Sequence, residues 1–117
     1  QVVDKEICGL LIGRGDRIDE AVPAGNVAPD PRRMFEIDPA VLLVEHRRAR
    51  ESGMQVVGHY HSHPGGKPLP SLRDAASACH DGAIWLIVAE GGALAAFQAV
   101  ADGIIAGHFN PVELEVF

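Results

Sequence analysis

The segment Met54-Gln55-Val56-Val57-Gly58 runs without a break into His59-Tyr60-His61-Ser62-His63-Pro64, and this junction constrains the fold more than any other part of the chain. The apolar run reads as a buried strand. If the strand continues through the histidines, His61 and His63 point to one face, because side chains alternate with period two. Their Cβ atoms then sit about 6.6 Å apart, twice the strand rise, and both rings can lean onto one ion. Pro64 lacks the N–H that a ladder needs and ends the strand. Gly65, Gly66, Lys67 and Pro68 make a loop. Ser71 reads as a helix N-cap, which sets Asp74 in the first turn, where its carboxylate can face back toward the histidines. Two imidazoles and one carboxylate, with a fourth position open, form the ligand set of a catalytic zinc rather than a structural one.

Each part alone is ordinary. Most His-x-His pairs are surface or core histidines, and Ser-x-x-Asp is also a capping box with Asp in place of Glu. The combination is more specific. A zinc hydrolase also needs a proton shuttle, a carboxylate close to the reacting water but off the metal. Spacing cannot find it, because the partner can lie far along the chain. Glu6, Glu36, Glu90, Glu113 and Glu115 stand at strand edges. Glu6 stands out because it abuts a strand apolar on both faces; the alternative is a strand-end residue that simply faces water.

The central stretch reads His-Ser-His, seven residues, Ser, two residues, Asp. It resembles the signature of the JAMM, or MPN-plus, family of zinc metalloproteases, which includes the deubiquitinase of the proteasome lid. Glu6-Ile7-Cys8-Gly9-Leu10-Leu11-Ile12-Gly13 resembles the family's Glu-x-x-Gly-Leu-Leu-x-Gly opening. Asn26-Val27-Ala28 and Phe35 with Ile37-Asp38-Pro39 extend the likeness, which spans residues 6 to 90. The resemblance implies an MPN/JAB (cytidine-deaminase-like) fold. It implies one zinc per chain on His61, His63 and Asp74, Glu6 as general acid/base, and Ser71 as a donor to the tetrahedral oxyanion. The activity implied is that of a metallopeptidase of the isopeptidase or deubiquitinase type. Two departures bear on the detail. His59 stands where the family often has a bulky aromatic, so it either rivals His61 and His63 for the ion or lines the cleft. The loops Pro23–Met34 and Pro64–Pro70 are short, without the inserts that grip ubiquitin. The resemblance is therefore to a compact prokaryotic-type member, acting at the C-terminal tail of a ubiquitin-like or sulfur-carrier protein.

The rest of the chain agrees with an α/β (α+β) domain. Ile7 to Gly13 reads as a buried strand, Arg17 to Val22 as a second, and Pro23 to Arg33 as loop. Phe35-Glu36-Ile37 is a short extended piece. Asp38 caps a helix with Pro39 at its first position and Gly53 after its end; Val41, Leu42, Val44 and Ala49 give it a core face, and Glu45, Arg47, Arg48, Arg50 and Glu51 a solvated one. A second helix runs from Leu72 to His80. Ala83–Ala89 is a buried strand, Gly91-Gly92 a hairpin turn, and Leu94–Val100 and Ile104–Phe109 are further strands. Asn110-Pro111 breaks the last of these, and Val112–Val116 alternates as an edge strand. The sum is a mixed, largely antiparallel sheet flanked by helices, in one domain over residues 1–117.

Composition narrows the partners. A net charge of −6 with no basic cluster argues against nucleic acid. No apolar run approaches the ~20 residues of a membrane span, and no signal-peptide pattern opens the chain, so a cytoplasmic setting is expected. Gln1 in place of Met suggests a trimmed start or an excised domain. Cys8 and Cys79 lie in apolar segments, which points to buried free thiols. His-Glu-x-x-His is absent, as is His-x-Glu with Pro-Cys-x-x-Cys, which sets aside two other zinc hydrolase classes. The rival from outside enzymology is a non-catalytic scaffold or ubiquitin-like-protein binding module of the same fold, which would not need all five polar positions.

Overall fold

A computed structural model describes residues 6–15, 17–32, 34–63 and 66–113. Six strands and two helices follow in the order β1 (Cys8–Arg14), β2 (Arg17–Ala24), α1 (Pro39–Glu51), β3 (Gln55–His63), α2 (Leu72–Ser77), β4 (Ile84–Ala89), β5 (Leu94–Gly103) and β6 (Gly107–Val112). The sheet order is β2-β1-β3-β4-β5-β6. β3 and β4 are parallel, and every other neighbouring pair is antiparallel. A parallel pair needs a crossover rather than a tight turn, and here the crossover carries α2. The end of β3 and the start of α2 are thereby brought to the same edge of the sheet.

β1 lies inside the sheet, between β2 and β3, and its sequence tolerates burial on both faces. Cys8 to Gly13 are all buried, as the absence of alternation in that run leads one to expect. Close approach also demands glycine at two places. A Cβ on Gly58 would lie 1.9 Å from the Ile84 carbonyl oxygen, and one on Gly9 would lie 2.3 Å from the Tyr60 ring.

Three apolar clusters hold the layers. Ala49 of α1 packs with Leu10 and Ile12, with Val41, Ile37 and Val56 against them. Ala75 of α2 packs with Trp85, Ile87, Phe97, Ala99 and Phe109. Leu11, Val57, Ile84 and Ala96 form the third, with Tyr60 and Leu86 at its margin and no contribution from either helix.

Helix α1 begins as its sequence dictates. Asp38 accepts the Ala40 amide at 3.0 Å, Pro39 follows, and Gly53 leaves the helix at φ 73°. Its core face differs from expectation. Leu42 and Val44 are exposed, whereas the stripe Val41, Glu45 and Ala49 turns inward. Those three are spaced by four, and Val44 lies off their line. The Glu45 side chain is mostly covered and pairs with Arg48, which also reaches Glu20 on β2.

Further boundaries move, among them the end of β2 to Ala24 and of β5 to Gly103. Ile7 lies outside β1 and is exposed. Helix α2 stops at Ser77 instead of His80; the Ser77 hydroxyl donates to the Asp74 carbonyl and Ala78 turns extended. Cys79 is consequently exposed, not buried, while Cys8 is buried; both are free thiols. The last described strand starts at Gly107 rather than Ile104 and runs through Asn110-Pro111 without a break. It is the sheet edge, so the missing N–H of Pro111 costs no ladder bond. Leu114 to Val116 of the expected final strand lie outside the described residues. No helix among the described residues is long and apolar enough to cross a membrane.

Candidate metal centre and active site

His61 and His63 lean to the same side of β3, as period two requires, and their Nε2 atoms are 3.1 Å apart. Ser71 caps α2 by accepting the Asp74 amide at 3.0 Å, and Asp74 Oδ2 accepts the Ser71 amide at 2.8 Å. The capping box is therefore real. The same Oδ2 also lies 3.1 Å from His63 Nε2 and 3.4 Å from His61 Nε2. Cap and candidate ligand are one side chain.

The tautomers leave a chemical demand at the centre. His63 Nδ1 lies 3.1 Å from the Lys67 carbonyl, which can only accept, so Nδ1 carries a proton. In a neutral ring the Nε2 lone pair then points at the Asp74 carboxylate, acceptor against acceptor. Something positive must lie between them, either a proton or a metal ion. In a tetrahedral shell with bonds of about 2.0–2.1 Å the ligand atoms are about 3.3–3.4 Å apart. The three edges here are 3.1, 3.1 and 3.4 Å. The residues fit a tetrahedral ion with one corner free.

Electrostatics follow the same arrangement. Burial pushes the Asp74 carboxyl up, but hydrogen bonds from His61 and His63 outweigh it and hold the group well below the usual carboxylate range. The Asp74 hydrogen bond, with the Lys67 carbonyl adding to it, raises His63. Glu6, which precedes β1, has a carboxylate oxygen within 4.8 Å of a ring nitrogen of both His61 and His63. Burial pushes it up to about 7, partly countered by the charge of His63. Near neutral pH it both takes and gives protons. Glu6, His63 and Ser71 line one open cleft of about 630 Å³ with Arg32, Lys67 and Leu69.

All five residues expected at the site converge there. His59 does not join them. Its ring packs against Trp85 at 4.4 Å and Phe35 at 5.1 Å, and burial holds its pKa down at about 4. The other acidic candidates stand elsewhere: Glu36, Glu90 and Glu113 are exposed, and Glu115 lies outside the described residues. Three positions that the resemblance covers had no role assigned from the sequence. Phe35 stacks on the His61 ring at 4.3 Å and fixes its plane. Ser62 and Asn26 hydrogen-bond the backbone around Glu6. Local pattern marks neither Ser62 nor Asn26 as a backbone clamp; the resemblance marks them only as matching positions.

A family model described as prokaryotic homologs of the JAB domain matches residues 3–100. This chain belongs to the prokaryotic JAB-domain family. A desampylase of Haloferax volcanii is 35% identical over 99 residues, covering 83% of this chain and 71% of that protein. A probable TtuB-protein conjugate cleaving protease of Thermus thermophilus is 38% identical over 74 residues, covering 63% of this chain. The match spans only 49% of the length of the Thermus protein. The solution structure of a Desulfitobacterium hafniense protein superposes with a TM-score of 0.78 at 26% identity, over 95% of this chain and 77% of that one. The crystal structure of a JAB1/MPN domain protein from Archaeoglobus fulgidus superposes with a TM-score of 0.54 at 24% identity, over 94% of this chain and 78% of that one, so the two share this mixed-sheet fold.

Proposed function

We propose that this JAB-domain chain is a zinc-dependent hydrolase that cleaves the amide bond after the C-terminal tail of a ubiquitin-like or sulfur-carrier protein, in the cytoplasm. The observation that carries the reading is the convergence of His61, His63 and Asp74 in a triangle with Glu6 within 4.8 Å of both imidazoles, where Glu6 and His63 line one cleft. His61, His63 and Asp74 would hold the zinc. When bound there, zinc lowers the pKa of water to about 7 and polarises a carbonyl oxygen.

The chain's own groups do the rest. Glu6 takes the proton of the attacking water and returns it to the departing amine, a cycle suited to its pKa of about 7. Ser71 Oγ accepts the Asp74 amide, which leaves its hydroxyl proton free to donate to the developing oxyanion. The cleft is open rather than enclosed, as an extended tail requires, and Leu69 and Leu72 present apolar surface along it. The names of the Haloferax and Thermus relatives, a desampylase and a conjugate-cleaving protease, support this substrate class. A purely scaffolding role gives no reason for a buried carboxylate beside two convergent imidazoles.

The test is to incubate the protein with a ubiquitin-like carrier joined through its C-terminal glycines to a lysine side chain or to a peptide, and to read product masses. Cleavage after the last carrier residue, abolished by chelator and restored by zinc, is expected. Intact conjugates in zinc, or cleavage indifferent to chelator, would overturn the proposal.

A further inference from the structure

Glu6 precedes the first strand and lies outside its ladder. Here it is fastened at every backbone group. The final pair of the β1–β3 ladder is Cys8 with His61. One residue earlier, the Ser62 amide donates to the Ile7 carbonyl at 2.9 Å, as a ladder continuing would have it. The reciprocal bond is different: the Ile7 amide donates to Ser62 Oγ at 2.8 Å, not to a backbone carbonyl. A side chain has replaced the strand's own acceptor, so the chain leaves the ladder here and turns. The Glu6 amide then donates to the Pro31 carbonyl at 2.6 Å.

Asn26 completes the clamp. Its Nδ2 donates to the Glu6 carbonyl at 2.8 Å and to the Met34 carbonyl at 3.0 Å. Its Oδ1 accepts the Ala28 amide at 3.0 Å and the Glu36 amide at 3.1 Å. One amide side chain thus ties the Glu6 peptide to both arms of the loop between β2 and α1. Ser62 ties the next peptide to the strand that carries His61 and His63. Glu6 has three rotatable side-chain bonds, so its carboxylate is held in place only if its backbone is.

We propose that Ser62 and Asn26 are positioning residues for Glu6, fixing its backbone relative to the two histidines so that the carboxylate stands at the open corner. The inference rests on the general acid/base reading of Glu6. A displacement of about 1 Å at a reacting group can cost on the order of 100-fold in rate.

The test uses Ser62→Ala and Asn26→Asp, each alone and in a Glu6→Gln background, on zinc-loaded protein with a carrier–lysine conjugate. Asn26→Asp keeps an oxygen for the Ala28 and Glu36 amides but turns the donor facing Glu6 into an acceptor. Each variant should lose about 10- to 100-fold in kcat with KM and zinc stoichiometry unchanged. Ser62→Thr, which keeps the hydroxyl, should restore the rate. In the Glu6→Gln background neither change should cost anything further, because no carboxylate remains to be placed. In metal-free protein, hydrogen exchange at the Ile7 amide should speed up in Ser62→Ala and stay slow in Ser62→Thr. The inference is overturned by full activity in Ser62→Ala and Asn26→Asp beside an inactive Glu6→Gln. It is overturned equally by losses that persist undiminished without Glu6. A Glu6→Gln protein as active as the wild type would instead sink the general-base reading, and this inference with it.

Discussion

Replacing Asp74 by Asn separates the two roles that this side chain combines. As a cap, its Oδ2 accepts the Ser71 amide, and an Asn oxygen can do the same. The reciprocal bond, from the Asp74 amide to Ser71 Oγ, uses no side-chain atom of residue 74 and survives. If capping were the whole role, the change should cost at most about 1 kcal/mol, or roughly 4 °C in Tm for a domain of this size. As a ligand the consequences are larger. Wild-type protein in zinc at 100 times Kd should gain about 2.7 kcal/mol over chelated protein, roughly 10 °C. Asp74→Asn removes the negative charge that lies 3.1 Å from His63 Nε2 and 3.4 Å from His61 Nε2. The zinc-dependent rise should then disappear, while the chelated Tm falls by more than the capping amount, because the Asp74 carboxylate also accepts from His61 and His63 without the metal. Buried Trp85, 5.8 Å from the His61 ring, gives a fluorescence signal for the melt, and atomic absorption gives the stoichiometry. A variant that still binds one zinc and keeps the full rise would refute the ligand assignment and leave Asp74 a cap.

Other expectations are simpler. Glu6→Gln should keep zinc but lose about 10²- to 10⁴-fold in hydrolysis, the usual contribution of a general acid/base; an undiminished rate would remove Glu6 from the mechanism. The same residue predicts a pH effect on metal-free protein. Its pKa is raised by burial from 4.5 to about 7, so the folded form holds the proton more tightly than the unfolded chain. Its contribution to stability is therefore complete below pH 4.5 and is lost as pH rises through about 7. Denaturation of Glu6→Gln across that range should show less decline with rising pH than the wild type, and identical slopes would contradict the assignment. Gly58→Ala puts a methyl 1.9 Å from the Ile84 carbonyl oxygen, where only backbone can give way. It should cost more than the roughly 1–3 kcal/mol of ordinary overpacking. Gly25→Ala, with open space around it, is the control and should be near neutral in the same urea titration.

The parts of this molecule written in short-range pattern were legible in the sequence. Strand alternation put His61 and His63 side by side, and the spacing from Ser71 to Asp74 announced a capped helix. Its place beside a strand apolar on both faces favoured Glu6 among several carboxylates, and the resemblance supplied its role. What escaped was set by tertiary packing. Val44 looked like core, but α1 meets β1 along the Val41–Glu45–Ala49 line. Asn110-Pro111 looked like a break, yet an edge strand tolerates a missing donor. His59 had the spacing of a ligand, and the ring cluster of Phe35 and Trp85 claimed it instead. Ser62 and Asn26 act through backbone bonds to residues 55 and 20 positions away, a distance at which sequence has no periodicity to offer.

The crossover between β3 and β4 has a kinetic corollary. His61 and Asp74 are 13 positions apart, so closing the ligand set is a short loop with a small entropic cost. Docking the N-terminal segment joins positions 55 apart and must wait for β1 to find β3. Capturing the ion and becoming competent to hydrolyse are then separable stages of maturation. In a refolding experiment, zinc uptake should run ahead of the recovery of cleavage.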